Sequence, residues 1–151
     1  DGNVSVLLRT DGSGVLGVLS VNRYLLDTHV ALWWALDDAQ MSARHRQLLE
    51  SGNGEFYISA VSCWEASIKT AQGKLRLDRE PLRFFQELAV HDGFKILPVQ
   101  LSHAGEVFHL PKVHNDPFDR LLIAQCRSEK MVMLSDDAVF EKYDLPGLIG
   151  R

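Results

Sequence analysis

Residues 23–36 read RYLLDTHVALWWAL, and this stretch indicates the fold class. Its first four residues form a short apolar segment typical of a buried strand, Asp27 follows at once, and residues 28–36 have helical character. Apolar segments that precede a helix in the same way recur at 56–58 (FYI), 94–97 (FKIL) and 131–134 (MVML). Short strands alternating with helices predict an α/β fold with a parallel sheet covered on both faces.

Helix boundaries are marked by capping residues. Ser59 is placed to cap a helix over 59–72, Pro81 stands at a first helical position, and Asp116 with Pro117 starts a helix that continues to Lys130. Shorter helices are expected over 42–51, 102–110 and the segment ending at Tyr143. In open parallel sheets, ligands bind beyond the carboxyl ends of the strands, so a functional site is expected there.

A chain of 151 residues with 46% hydrophobic and 24% charged residues is typical of a protein with one folded domain. The net charge of -4 does not point to a nucleic-acid-binding protein, although a carboxylate metal site would itself lower the charge. Two distant cysteines favour free thiols and a cytoplasmic location, and no apolar run predicts a membrane span. Residues 1–22 are rich in glycine and lack aromatic residues, which predicts an extension of uncertain origin outside a domain over 23–151.

Four acidic residues follow the predicted strands. Asp27 closes the first strand, Asp137 comes shortly after the fourth, Glu65 lies about two turns into the helix after the second, and Asp119 lies in the first turn of the helix at Pro117. A parallel sheet can bring all four to one edge. Each also has a purely structural interpretation as a helix cap or a partner of the helix dipole, so spacing alone does not decide between the two.

A cluster of these acids would need neutralisation. Two ionised carboxylates about 5 Å apart repel by ~3 kcal/mol at an effective dielectric of ~20. Several such pairs rival the stability of a small domain, so the cluster requires protons or a cation. Oxygen ligands suit a hard divalent ion such as Mg²⁺ or Mn²⁺.

Four blocks of sequence resemble the signature motifs of PIN-domain ribonucleases of the VapC type, the toxins of type II toxin–antitoxin systems. They are LLDTHVALWW at 25–34, ISAVSCWEASIK at 58–69, HNDPFDRLLIAQC at 114–126 and LSDDAVFEKY at 134–143. The resemblance covers residues 23 to about 143, and the blocks occur in the family's order. It implies an α/β/α sandwich with a central parallel sheet of four to five strands.

The resemblance also implies site residues, cofactor and partners. The four family acids fall on Asp27, Glu65, Asp119 and Asp137, which would act as catalytic residues and ligands of Mg²⁺ or Mn²⁺. The small hydroxyl residue before the fourth acid corresponds to Ser135, and Asp116 is an additional acid. The implied activity is endonucleolytic cleavage of RNA by the toxin of a toxin–antitoxin pair, a homodimer that binds a cognate antitoxin.

Several other residues and patterns bear on this interpretation. Lys69 and Arg120 are the candidates for phosphate contacts, although such charges usually form a solvated face. His103, His109 and His114 match no common zinc spacing. The haloacid-dehalogenase pattern needs an aspartate where His29 stands. A PIN fold that docks RNA or a protein partner without cutting remains the alternative, and loss of one of the four acids would have favoured it.

Overall fold

The computed structural model describes residues 6–10 and 16–151. The predicted extension, residues 1–22, therefore lies partly outside the described residues. Its described part contains β1 (Val6–Thr10) and β2 (Leu16–Ser20), which pair with each other in an antiparallel sheet of their own. That residues 1–22 are no part of the domain stays a prediction.

The centre of the domain is a five-stranded sheet in the order β5-β4-β3-β6-β7. All neighbouring strands run parallel, as the sequence predicts. The strands are β3 (Arg23–Leu26), β4 (Glu55–Ser59), β5 (Lys95–Leu97), β6 (Val132–Leu134) and β7 (Leu148–Ile149). Because β3 is central, its carboxyl end lies between those of β4 and β6, and Asp27 is the residue that follows it.

Six α-helices connect and flank these strands within the described residues. They are α1 (Thr28–Ala35), α2 (Ala43–Ser51), α3 (Ala60–Ala71), α4 (Pro81–Asp92), α5 (Leu101–Glu106) and α6 (Pro117–Glu129). The predicted helix over 102–110 begins one residue earlier and continues after Glu106 as a 3-10 helix, Val107–His109. A second 3-10 helix, Ala138–Tyr143, follows β6.

Side chains alternate between two apolar layers, one on each face of the sheet. Tyr24 and Leu26 pack on one face with residues of α1 and α4, whereas Leu25 between them packs on the other face with residues of α6. On β4, Phe56 packs in the same layer as Tyr24, and Tyr57 packs in the same layer as Leu25. This two-residue period with both faces buried gives the predicted α/β/α sandwich. None of the described helices is long and apolar enough to cross a membrane.

Candidate active site

Asp27 is buried at the carboxyl end of β3, with 3% of its surface exposed. It occupies the N-cap position of α1, yet its side chain makes no capping hydrogen bond. Instead, Oδ2 accepts a hydrogen bond of 2.9 Å from the Ser135 hydroxyl, which lies beyond the end of β6. The capping interpretation therefore fails for this residue, and the carboxylate is held by the neighbouring strand's loop.

Glu65 on α3 is also 3% exposed, and it lies close enough to Asp27 for its charge to raise the pKa of that acid. Its Oε2 accepts a hydrogen bond of 2.5 Å from the Lys69 ammonium, one helical turn further on. Burial lowers the pKa of Lys69, but the hydrogen bond and charge of Glu65 outweigh it and the pKa lies above its ordinary value. The Thr28 and Ser62 hydroxyls, 2.8 Å apart, join α1 to α3 beside this pair.

Asp119 lies in the first turn of α6 and is partly buried. Its Oδ2 is 3.3 Å from Nε2 of His114. Asp116, the N-cap of this helix, accepts hydrogen bonds at Oδ1 from the main-chain N–H groups of Phe118 and Asp119. The capping interpretation is thus correct for Asp116, whereas Asp119 projects a carboxylate that the helix does not use as a cap.

Asp137 caps the 3-10 helix Ala138–Tyr143 through Oδ1, which accepts from the Val139 N–H at 3.0 Å. Asp137 is exposed, whereas Asp27 and Glu65 are buried. The Ser135 hydroxyl that donates to Asp27 also accepts from the Asp137 N–H at 3.1 Å. Ser135 therefore links the fourth acid to the first.

The acids are close enough to perturb one another. Burial raises the pKa of Asp27 to about 7; the Ser135 hydrogen bond opposes this, and the charges of Glu65 and Asp137 add to it. Burial also raises the pKa of Asp119 to about 6, with contributions from the charges of Asp27, Asp116 and Glu65, while the His114 hydrogen bond lowers it. The structure thus brings all five sequence-predicted acids into one electrostatic group.

The carboxylate oxygens of these acids suit a hard cation, although their side chains do not converge on one point. Within residues 6–10 and 16–151, no three or more carboxylate, histidine or cysteine side chains are grouped so that they could hold a metal ion. Each central acid is bound to another partner: Asp27 to Ser135, Glu65 to Lys69 and Asp119 to His114. Yet burial, with the charges of neighbouring acids, raises the pKa values of Asp27 and Asp119, and a cation relieves this condition.

Lys69 and Arg120, the two residues predicted to contact phosphate, differ in how free their charged groups are to bind a ligand. The Lys69 side chain is 37% exposed and borders a cavity of about 400 Å³ that Glu65, Trp33, Leu36 and Lys74 also line. In contrast, Nη1 of Arg120 donates to the main-chain carbonyls of residues 111 and 114 and to the Tyr143 hydroxyl. Lys69 is therefore the cation positioned beside both the acids and open space.

The sequence singled out His114 only among the histidines that match no common zinc spacing, and it did not single out Tyr143. The His114 ring contacts Asp119 through Nε2, and its Nδ1 hydrogen-bonds the Tyr143 hydroxyl. Tyr143 is separated from His114 by 29 residues, so no local pattern connects the two. The available signal was their position inside two of the four signature blocks.

Comparison with known proteins gives concordant results. Residues 24–145 match the family model described as the PIN domain. The chain is 32% identical over 101 residues to Ribonuclease VapC22 of Mycobacterium tuberculosis, an alignment covering 66% of this chain and 75% of that protein.

Solved structures share the fold at low sequence identity. VapBC2 from Rickettsia felis bound to a DNA fragment from its promoter superposes with a TM-score of 0.63 at 12% identity, covering 85% of this chain and 98% of that one. FitAcB from Neisseria gonorrhoeae gives a TM-score of 0.58 at 17% identity, covering 83% of this chain and 96% of that one. Together with the family match over most of its length, these results show that the chain belongs to the PIN domain family.

Proposed function

We propose that this chain is a divalent-cation-dependent endoribonuclease and the toxin of a toxin–antitoxin pair. The observation that carries the proposal is the group of carboxylates formed by the buried Asp27 and Glu65 and the partly buried Asp119, whose charges raise one another's or a neighbour's pKa beyond the carboxyl end of β3. Membership of the PIN domain family and similarity to a protein named a ribonuclease support this activity.

Asp27, Glu65 and Asp119 would hold the cation, Mg²⁺ or Mn²⁺. Asp116 and Asp137 each use one carboxylate oxygen as a helix cap, so they have at most the other oxygen to offer directly or through water. When bound, a divalent cation lowers the pKa of a coordinated water and neutralises charge on the phosphoryl oxygens.

The chain's own residues prepare this chemistry. The Ser135 hydroxyl donates a hydrogen bond to Oδ2 of Asp27 and so fixes the orientation of the Asp27 carboxylate. Lys69 compensates the buried charge of Glu65 until a cation arrives. Because Lys69 is half-exposed, its ammonium can then leave Glu65 and bind an RNA phosphate without moving the helix.

The cavity beside Glu65 supports a nucleic-acid substrate. Trp33 and Leu36 give it an apolar wall, and Lys69 and Lys74 supply positive charge. An apolar wall beside two lysines suits a nucleotide, because bases stack on apolar or aromatic surfaces and phosphates bind cationic side chains. Phosphate binding by Arg120 stays a prediction, and its hydrogen bonds to residues 111, 114 and 143 make it the weaker candidate.

The test is cleavage of RNA with Mn²⁺ or Mg²⁺ and with chelator. Wild type is expected to cut only with the cation, and Asp27→Asn and Asp119→Asn are expected to lose activity by orders of magnitude. Glu50→Gln, which neutralises an exposed acid on α2, is the control and should cut normally. Chelator-resistant cleavage, or Asp119→Asn as active as wild type, would contradict the proposal.

A PIN fold that binds without cutting is the second candidate. Wild type that bound RNA with Mn²⁺ present yet left every phosphodiester bond intact would support that alternative. All four family acids are present, which favours the enzyme.

The antitoxin partner is proposed because one of the similar structures is named a toxin–antitoxin complex, from Klebsiella pneumoniae, with a TM-score of 0.56 at 16% identity. Expression of the chain alone is expected to arrest growth, and co-expression with the antitoxin is expected to restore growth.

A homodimer is also proposed. The exposed apolar side chains of Val90, Leu101 and Phe108 are available for such a contact, and Trp33 and Trp34, which pack partly into the core, offer the rest of their surface. Light scattering that gave a monomer mass would contradict the dimer. Cytoplasmic location stays a prediction.

A further inference from the structure

A row of hydrogen bonds leads to Asp119 from the carboxyl-terminal part of the chain. Nη1 of Arg120 lies 3.1 Å from the Tyr143 hydroxyl oxygen. That hydroxyl also hydrogen-bonds Nδ1 of His114, and the opposite ring nitrogen, Nε2, lies 3.3 Å from Oδ2 of Asp119. Four side chains are thus connected end to end.

The two ends of the row give it one direction, because the Arg120 guanidinium can only donate and an ionised Asp119 carboxylate can only accept. A guanidinium can only donate, so the Tyr143 oxygen accepts from Arg120 and its own proton is free to be donated to His114. When Nδ1 accepts that proton's hydrogen bond, the neutral imidazole carries its proton on Nε2. Nε2–H then points at the Asp119 carboxylate, which accepts. Every donor in the row has an acceptor in this arrangement.

The surroundings hold the first members in place. Arg120 also donates to the carbonyl oxygens of Pro111 and His114, so its guanidinium braces the loop that carries the imidazole. The Tyr143 residue is 4% exposed and packs in the core cluster on the α6 face of the sheet. The row therefore starts from two fixed side chains and ends at an acid of the candidate site.

We propose that Arg120, Tyr143 and His114 form a one-way hydrogen-bond relay that presents Nε2–H of His114 to Asp119 and thereby orients that carboxylate for a cation. His114 and Tyr143 are then positioning residues, and Oδ1 of Asp119 is the oxygen left for the ion. The inference rests on the proposed function, since it supposes that Asp119 is a ligand. Partners of this kind, which hold the ligands of a metal, commonly affect its affinity.

The relay predicts a particular tautomer of His114, which ¹⁵N NMR of the imidazole ring reports directly. His114→Gln assigns the signal by its disappearance. At pH 8 without metal, wild type is expected to show the neutral Nε2–H form, and Tyr143→Phe, which removes only the hydroxyl, is expected to introduce the Nδ1–H form. An Nδ1–H or doubly protonated ring in wild type would overturn the relay.

Binding of Mn²⁺ to the metal-free protein, followed by electron paramagnetic resonance of the free ion, tests the effect on the site. Loss of a group that orients a metal ligand typically weakens affinity about 10–100-fold, which is the expectation for His114→Ala. Tyr143→Phe should weaken it less. Because the amide N–H of glutamine can take the place of Nε2–H, His114→Gln should bind more tightly than His114→Ala.

Two matched controls separate this effect from a general loss of structure. Tyr24→Phe removes the hydroxyl of a buried tyrosine in the other core cluster, and His109→Gln changes an exposed histidine. Both are expected to bind Mn²⁺ like wild type. If wild type binds Mn²⁺ and the His114 and Tyr143 variants bind it equally well, the relay's role is overturned while the proposed function stands. If wild type does not bind the ion, both are overturned.

Discussion

Replacing Asp27 by asparagine is expected to stabilise the metal-free protein at alkaline pH. Asp27 is 3% exposed and ionises among Glu65 and Asp137, so burial first and then like charge raise its pKa from 3.8 to about 7. Asparagine removes the charge and keeps an oxygen that accepts from Ser135. The substitution thus removes the cost of a buried carboxylate without removing its hydrogen bond.

The magnitude follows from linkage between protonation and folding. A folded-state pKa of about 7 against 3.8 in the unfolded chain corresponds to about 4 kcal/mol when Asp27 is fully ionised. Because this pKa is raised, the associated stability is present below pH 4 and is lost as pH rises through about 7. The advantage of Asp27→Asn is therefore at most about 4 kcal/mol at pH 8 and about 2 kcal/mol at pH 5.

Urea unfolding in chelator at pH 8 and pH 5 measures both values. The matched control is Asp78→Asn, because Asp78 is fully exposed and its hydrogen bond with Arg79 lowers its pKa, so that no gain is expected at pH 8. The reasoning would be refuted if Asp27→Asn were no more stable than wild type at pH 8. A gain of equal size at both pH values would also refute it, because the charge would not be its source.

Further predictions concern the cation, the core and the ion pair. Mn²⁺ should raise the melting temperature of wild type in proportion to ln(1 + [Mn²⁺]/Kd), and raise that of Asp119→Asn much less, as scanning calorimetry would show. Ser59→Ala should lower the free energy of unfolding by about 1–3 kcal/mol in urea titrations, since it removes the cap of α3 and the buried hydrogen bond to Gln125. Phe140→Ala should cost about 3–5 kcal/mol by the same measurement, because this ring is fully buried. Lys69→Met should cost about 1 kcal/mol in metal-free protein, and adding Glu65→Gln should recover most of it, because Lys69 compensates a buried charge but is itself half-exposed.

The elements of the fold were predictable because their signals are local. Ser59 and Asp116 cap their helices as predicted, and the helix predicted over 42–51 is α2, with Ser42 as its cap and Gly52 ending it in the left-handed region at φ 65°. Alternation of apolar strands with helices indicated a parallel sheet. The order β5-β4-β3-β6-β7 depends on which strands pair over long separations in sequence, and no window of sequence contains that information.

The sequence predicted which acids could share the candidate site but not how their side chains would be arranged. Position at strand ends and the signature blocks selected the acids, yet capping and metal binding remained equal alternatives for each one until their partners were known. Asp116 and Asp137 do cap helices, whereas Asp27 and Glu65 bind Ser135 and Lys69 instead. Ser135 lies 108 residues from Asp27, so only the pairing of β3 with β6 reveals their contact.

The carboxyl-terminal edge strand connects this site to the rest of the domain. The Asp27 N–H donates to the Leu134 carbonyl, and the Ser135 N–H donates to the carbonyl of Ile149 on β7. The same Ile149 carbonyl lies 2.6 Å from Nε2 of the fully buried His45 on α2. Since a ring nitrogen that meets a carbonyl must carry the proton, His45 donates to β7 while β7 holds the loop that orients Asp27. The two-residue strand β7 is therefore short in sequence but essential to the geometry of the first acid, because it anchors Ser135 from the side opposite to β3.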